Sequence, residues 1–186
     1  MNTVNTTDEL RRTAIHEAGH AVLHIALGLG CAAITIVPDY EKGTAGTAAH
    51  GGEYGRPGEA LGEPDDDVAN LRLFAEDAFY LRHAIANYGG AEAGRRLDPQ
   101  RADWRAGADS DYREASARIN AITDDAQSLE LLFKYAARRC ELLVEYYWPE
   151  ITAVADLLIE HRTITGEQAQ QRPDQSCRQY RRPPGP

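Results

Sequence analysis

The sequence predicts a mainly α (α+β) fold, with one small β-sheet packed next to a long first helix. Three observations predict this class. Apolar residues recur at helical spacing over most of the chain, and capping residues, glycines and prolines separate the helical segments. One stretch, 33–37, is rich in β-branched residues and stops at a proline, which is typical of a short strand. The 186 residues are enough for one domain with a buried core.

The composition limits the classes of binding partner and the cellular compartment that we expect. The chain has 29 acidic and 20 basic residues, and its net charge of −9 argues against nucleic acid or an anionic membrane as the main partner. The cysteines, Cys31, Cys140 and Cys177, are far apart and have no metal-ligand spacing, so we expect reduced thiols in a cytoplasmic protein. The amino terminus lacks the pattern of a signal peptide. The most apolar stretch, 21–37, is too short and too interrupted for a membrane span.

The first helix is expected over 7–28. Thr6 and Glu9 have the spacing of a capping box, and Gly28 and Gly30 mark the end of the helix. Five residues follow at helical spacing and should face the core: Ile15, Gly19, Val22, Ala26 and Leu29.

Two short strands are expected after this helix. Residues 33–37 form the first, which ends at Pro38, and the small residues of 43–49 return beside it as the second. Either segment can present an exposed edge, to which an extended peptide would add as a further strand. The glycine- and proline-rich stretch 51–63 is predicted to be an exposed loop.

A second long helix is predicted over 65–88, with acidic residues in its first turn and Gly89-Gly90 at its end. Its apolar stripe contains Val68, Leu71, Phe74, Ala75, Ala78, Leu81 and Ile85. The polar, arginine-rich stretch 94–106 is predicted to be another loop.

The rest of the folded chain is predicted to be helical. The segments are 109–122, capped by Asp109 or Ser110, then 128–148, then 149–161 with Pro149 in the first turn, and a last short helix after a turn at 163–167. From Arg172 onward the chain is mostly Arg, Gln and Pro and has little to bury. We therefore expect one domain over 1–171 and a disordered tail over 172–186.

The residues with the clearest chemistry lie in the first helix, His16-Glu17-Ala18-Gly19-His20. Positions four apart lie on one helix face, so both imidazoles can bind the same metal ion. Glu17 lies about 100° around the helix from His16, within reach of a water on that metal. This is the zinc-peptidase arrangement, in which two histidines bind zinc and the glutamate takes a proton from the water.

A catalytic zinc site needs a third protein ligand. His24 is one turn too far, about 6 Å along the helix by its rise, and is expected to be a packed, hydrogen-bonded residue. The remaining histidines, at positions 50, 83 and 161, are expected at the surface or in the core. A carboxylate in a first helical turn, Asp111, is the better candidate. On the residues alone, Asp109 and Asp111 can equally serve only to cap the helix and complement its dipole.

Several segments, in the same order, resemble the peptidase domain of the FtsH family of membrane-anchored, ATP-dependent zinc proteases. They cover about residues 7–172 and include the family's zinc helix, the strand after it, its Tyr-Gly-Gly, its Gly-Ala-x-x-Asp and its closing segment. These are 16–22, 34–38, 87–90, 107–116 and 160–167.

The resemblance implies specific roles for the matching residues. His16, His20 and Asp111 would be the ligands of Zn²⁺, and Glu17 would be the general base on the zinc-bound water. The strand edge that holds the substrate in the family corresponds here to five residues: Ile34, Thr35, Ile36, Gly46 and Thr47. The expected function is a zinc-dependent endopeptidase that hydrolyses peptide bonds of unfolded or flexible proteins.

The chain also departs from the family pattern. It contains no Gly-x-x-x-x-Gly-Lys-[Ser/Thr] phosphate loop, so we expect neither the ATPase module nor the membrane anchor, and a separate ATPase is a candidate partner. Arg95-Arg96 stands where the family has an acidic pair, and Glu92 is the nearest carboxylate. Two alternatives stay open: a non-catalytic zinc-binding interaction module, and an HExxH protease that cleaves one specific regulator.

Overall fold

The computed structural model describes residues 6–39, 41, 44–49, 66–101 and 108–171, and for residues 6 and 66–73 it describes only the backbone. The predicted loop 51–63 and the predicted tail 172–186 lie outside these residues. Within them the helices are α1 (Thr6–Ala26), α2 (Asp66–Asn87), α3 (Gly89–Leu97), α4 (Asp109–Asn120), α5 (Ala126–Tyr146), α6 (Trp148–His161) and α7 (Gly166–Gln170). The strands are β1 (Ala33–Thr35), β2 (Thr47–Ala49) and β3 (Thr163–Thr165). The predicted mainly α (α+β) class is confirmed.

Helix α1 lies at the centre of the molecule. It packs against α3 on one side and α6 on another, and its apolar residues, such as Ile15 and Leu23, are completely buried there. The prediction that Ala26 faces the core is wrong, because this residue is exposed. The helix ends at Ala26, Gly28 takes a φ of +72°, and the chain turns back so that Leu29 enters the core instead.

The sheet is antiparallel, in the order β2-β1-β3. Its buried face is apolar, since Ile34 of β1 pairs with Ile164 of β3 and both side chains are in the core. Residues 163–165 were predicted to be a turn, and this prediction is wrong. Their Thr-Ile-Thr alternation places one side chain inward and two outward, as in a strand with one buried face. The short helix predicted after them is confirmed: α7 begins at Gly166, with a capping box between Thr165 and Gln168.

The loop predicted over 94–106 is wrong at residues 94–97, which are helical, whereas residues 98–101 lie outside any helix or strand, as predicted. Helix α2 ends at Asn87, close to its predicted end at the glycine pair, but Tyr88 keeps helical dihedral angles, φ −76° and ψ −12°, and α3 follows at once and continues to Leu97. A salt bridge between Arg95 and Glu92, three residues apart, supports this helix. Gly89-Gly90 therefore begins a new helix, α3.

The apolar positions predicted along α2 extend beyond the part of the helix that is buried. Phe74 is 73% exposed and Ala78 is exposed as well, so these apolar positions do not all face the core. The side chains of Val68 and Leu71 lie outside the described residues. Burial on the described part of α2 is concentrated at its carboxyl end, residues 83–87.

The predicted helix boundaries elsewhere are close, except that α5 begins two residues early because the Asp125 side chain accepts a 2.7 Å hydrogen bond from Ser128 N. The predicted cap at Asp109 or Ser110 is wrong, because Ala108 is the N-cap of α4 and its side chain caps nothing. Across the described ranges, no helix combines the length and apolar character needed to cross a membrane.

The end of α6 contains a strained residue. Arg162 is the C-cap and has a φ of 66°, a left-handed conformation that is unfavourable for any residue with a Cβ. Its backbone is held there because its carbonyl accepts a 2.9 Å hydrogen bond from Ile36 N.

We expect Arg162→Gly to raise the free energy of unfolding by about 0.5–1 kcal/mol, because glycine adopts this conformation without a steric penalty. Urea denaturation of the two proteins would measure the difference. The control is His161→Gly, one residue earlier in regular helix, which should lower the free energy of unfolding. A lower stability of Arg162→Gly would mean that the arginine side chain, and not the backbone, governs this position.

Candidate metal centre

The two histidines of α1 lie on adjacent turns of its inner face. Their Nε2 atoms are 3.2 Å apart, and their rings meet edge to face with centroids 4.8 Å apart. His20 is buried and His16 is partly exposed, so the pair lies at the boundary between core and solvent. The helix places both imidazoles as the spacing of four residues requires.

Asp111 joins this pair from the first turn of α4. Its Oδ2 atom is 3.2 Å from His16 Nε2 and 3.2 Å from His20 Nε2, so three potential ligand atoms are equally spaced. His16, His20 and Asp111 form a group that could hold a metal ion. Asp109, the other aspartate of the same turn, is exposed. The fold therefore brings Asp111, and not Asp109, to the two histidines.

The hydrogen bonds around His20 orient its ring for metal binding. Its Nδ1 is 3.1 Å from the carbonyl oxygen of Ala86. A carbonyl can only accept, so Nδ1 donates this hydrogen bond, and the ring is oriented with Nε2 directed toward Asp111. His24 donates from Nδ1 to the carbonyl oxygen of His20 at 2.8 Å and is buried, as predicted for a packed, hydrogen-bonded residue.

Asp111 is charged at neutral pH. Burial acts to raise its pKa, but the hydrogen bonds from His16 and His20, together with their charge, hold the pKa of this carboxyl well below its usual range. A carboxylate beside two imidazole nitrogens is a donor set that suits a divalent transition metal.

Glu17 lies beside this group without belonging to it. Its side chain is only 7% exposed. Burial raises its pKa to about 7, the nearby His20 acts to lower it and Asp111 acts to raise it. A carboxyl group with a pKa near neutrality can both take up and release a proton under ordinary conditions.

The segment leading into β2 passes directly over Glu17. A Cβ atom at Gly46 would lie 2.8 Å from Glu17 Cγ, 2.8 Å from Glu17 Oε1 and 2.8 Å from the carbonyl oxygen of Thr35. Only a glycine allows the strand to approach the carboxyl group so closely. The β2 side of the sheet therefore borders the candidate catalytic group.

The five predicted substrate-binding residues divide into two groups. Ile34 and Ile36 are core residues, 0% and 3% exposed, and Thr35 Oγ1 forms a 2.8 Å hydrogen bond with Thr163 Oγ1 of β3. Because β1 is hydrogen-bonded to β2 on one side and β3 on the other, the prediction that β1 can present an exposed edge is wrong. Gly46 and Thr47 lie on the β2 side, whose outer edge pairs with no strand in the described part of the chain.

Sequence reasoning missed the role of the glycines on α3. A Cβ at Gly19 would lie 2.5 Å from the carbonyl oxygen of Gly89, so the backbones of α1 and α3 are in direct contact. Gly90, interpreted from the sequence only as a helix end, lies next to the imidazoles of His16 and His20. The Gly-Gly pair was the available signal, since two glycines inside a helical run often mark a close approach. Glu92, identified in the sequence as the carboxylate nearest to the place of the family's acidic pair, forms a 2.5 Å salt bridge with Arg95.

No model of a known protein family matches the chain, and no curated protein is significantly similar to it. The resemblance to the FtsH peptidase domain therefore rests on the residue patterns alone.

Proposed function

We propose that this protein is a zinc-dependent endopeptidase that acts on extended segments of unfolded or flexible proteins. The observation that carries the proposal is the combination at one place of three converging donor atoms and a buried glutamate. The donors come from His16, His20 and Asp111, each 3.2 Å from the other two. A structural metal site needs no base beside it, so an additional buried carboxyl group supports catalysis.

The spacing and chemistry of the three donors support zinc as the metal of this proposal. Ligands at about 2.0–2.1 Å from a tetrahedral zinc ion are about 3.3 Å from one another. The 3.2 Å separations match that spacing. Two imidazoles and one carboxylate are also a usual set for catalytic zinc, which keeps a fourth position open. A bound zinc ion would supply polarisation of the scissile carbonyl and a lowered pKa for an attacking water.

Glu17 is the residue that moves protons in this proposal. Its carboxylate accepts a proton from the attacking water, and the resulting carboxyl group donates that proton to the nitrogen of the leaving amine. Its pKa of about 7 suits both steps, since the group is neither too weak a base nor too weak an acid.

The outer edge of β2 is the proposed binding surface for the substrate. An extended peptide hydrogen-bonded along Thr47–Ala49 would run antiparallel or parallel to β2 and pass close to Glu17 at Gly46. Such pairing uses main-chain groups of the substrate, which a folded protein has already paired internally. The surface therefore favours unfolded chains and flexible termini, and a separate ATPase that unfolds proteins is a candidate partner.

The proposal predicts zinc-dependent cleavage of unfolded protein. The zinc-loaded chain should contain about one zinc per molecule and should cleave a fluorescently labelled, permanently unfolded protein. Its rate should fall at least about 100-fold after the metal is removed with a chelator and return when zinc is added back. The same protein in its folded form should be cleaved much more slowly.

Each other outcome has a definite meaning. Zinc binding without cleavage of any unfolded protein would favour the non-catalytic module. Cleavage restricted to one folded protein would favour the regulator-specific protease. Failure to bind zinc at micromolar concentration would contradict the proposal itself.

A further inference from the structure

We propose that Gly90 is a positioning residue of the metal centre, where the lack of a side chain lets the two imidazoles converge. This inference rests on the proposed metal site at His16, His20 and Asp111. It concerns a residue that contacts the ligand nitrogens without being a ligand itself.

The space beside the ligand nitrogens is too small for a methyl group. A Cβ atom at position 90 would lie 2.7 Å from His16 Nε2 and 2.7 Å from His16 Cε1, and closer still to His20 Nε2. Non-bonded carbon and nitrogen atoms are in ordinary contact at about 3.5 Å, so such an atom would overlap both rings. The overlap involves the same two nitrogen atoms that would bind the metal.

Moving α3 away from α1 to relieve this overlap would break a close backbone contact between the two helices. A Cβ at Gly19 would lie 2.5 Å from the Gly89 carbonyl oxygen, and a Cβ at Gly89 would lie 2.8 Å from the Gly19 carbonyl oxygen. The two helices are thus in backbone contact one residue before Gly90, and close packing resists their separation. The His20 ring is held as well, by the hydrogen bond from Nδ1 to the Ala86 carbonyl.

Conformational freedom does not explain this glycine. Among the glycines that the structure describes, only Gly28 and Gly30 have a positive φ, so alanine fits the backbone at position 90. In a helix, alanine is favoured over glycine. Clearance for the imidazoles is the physical reason that remains, and a larger residue would push the Nε2 atoms apart.

The first test compares Gly90→Ala with Gly94→Ala by competition against a zinc-binding dye. Gly94 is the matched control, since it lies on the same helix and a Cβ there would meet nothing within 4 Å. We expect Gly94→Ala to bind zinc within about 3-fold of wild type. Gly90→Ala should bind zinc at least about 30-fold more weakly, because misoriented ligands typically lower metal affinity about 10–100-fold. The absorption spectrum of bound Co²⁺ should change in Gly90→Ala alone. Equal zinc affinity of the two variants would overturn the proposal.

The second test uses the metal-free protein and is independent of zinc binding and of activity. It measures the change in Tm caused by Gly90→Ala in wild type and in the His16→Ala/His20→Ala background. We expect a decrease of about 3 °C or more in wild type, and no decrease once the imidazoles are gone. The same decrease in both backgrounds would show that the methyl group collides with something else and would overturn the proposal. If wild type binds no zinc, the proposed function fails while this cycle still decides the role of Gly90.

Discussion

Glu17→Gln should abolish peptide hydrolysis while zinc remains bound. The glutamine side chain has the shape of the glutamate but cannot accept a proton from water, so the loss should be at least about 100-fold. Zinc affinity should stay within about 3-fold of wild type, because Glu17 is not one of the three residues whose donor atoms converge. Initial rates on the unfolded labelled protein, with zinc content measured in the same samples, would give both values.

The substitution should leave the fold intact. Burial raises the pKa of Glu17 to about 7, so the folded protein holds this carboxyl group protonated up to that pH, whereas in the unfolded chain the carboxyl group ionises near its ordinary pKa of 4.5. Ionisation therefore favours the unfolded state above about pH 4.5, and a neutral glutamine removes that cost. We expect metal-free Glu17→Gln to be at least as stable as wild type at pH 8.

The matched control is Glu9→Gln, the same chemical change at an exposed position of α1. This variant should cleave at the wild-type rate. Equal cleavage by wild type and Glu17→Gln would indicate a contaminating protease or a different base. Loss of zinc from Glu17→Gln would instead assign Glu17 a role as a ligand.

Asp111→Ala should lower the affinity for zinc at least 10-fold, with a matching loss of hydrolysis at limiting zinc. The aspartate supplies the only negative charge among the three converging donors, and its Oδ2 is 3.2 Å from each imidazole nitrogen. Removing it leaves two neutral ligands from one helix, which is too few for a catalytic zinc site. Competition with a zinc-binding dye would measure the affinity.

Asp109→Ala is the control for this prediction. Both aspartates lie in the first turn of α4, so both complement its dipole, and only Asp111 reaches the histidines. Asp109→Ala should therefore bind zinc like wild type. If Asp109→Ala loses the metal and Asp111→Ala keeps it, the third ligand is the other aspartate.

Much of the fold could be predicted because helical signals are local. The extent of α1, the start of α6 at the Trp148-Pro149 step and the presence of α7 follow from periodicity, proline and capping residues within a few positions of each element. Local signals were less reliable for burial. The stripe through Phe74 looks like a core face in the sequence, yet whether a neighbour covers it depends on helices far away in the chain.

The sheet could not be derived in the same way, because strand pairing joins distant segments. Thr35 contacts Thr163, which lies 128 positions later in the chain. The Thr-Ile-Thr segment is too short to distinguish a strand from a turn by its pattern. Its pairing with β1 is also the reason that β1 is the central strand and has no free edge.

The relation of His16, Glu17 and His20 follows from the sequence by itself, because 3.6 residues per turn place those positions on known sides of one helix. The identity of the third donor does not, since a first-turn aspartate has the same local pattern whether it caps a helix or points at a metal. The tertiary structure decided that Asp111 meets the histidines, 91 positions away from His20. It also decided that Gly90 lies against their rings, because the distance between two helices depends on every side chain packed between them.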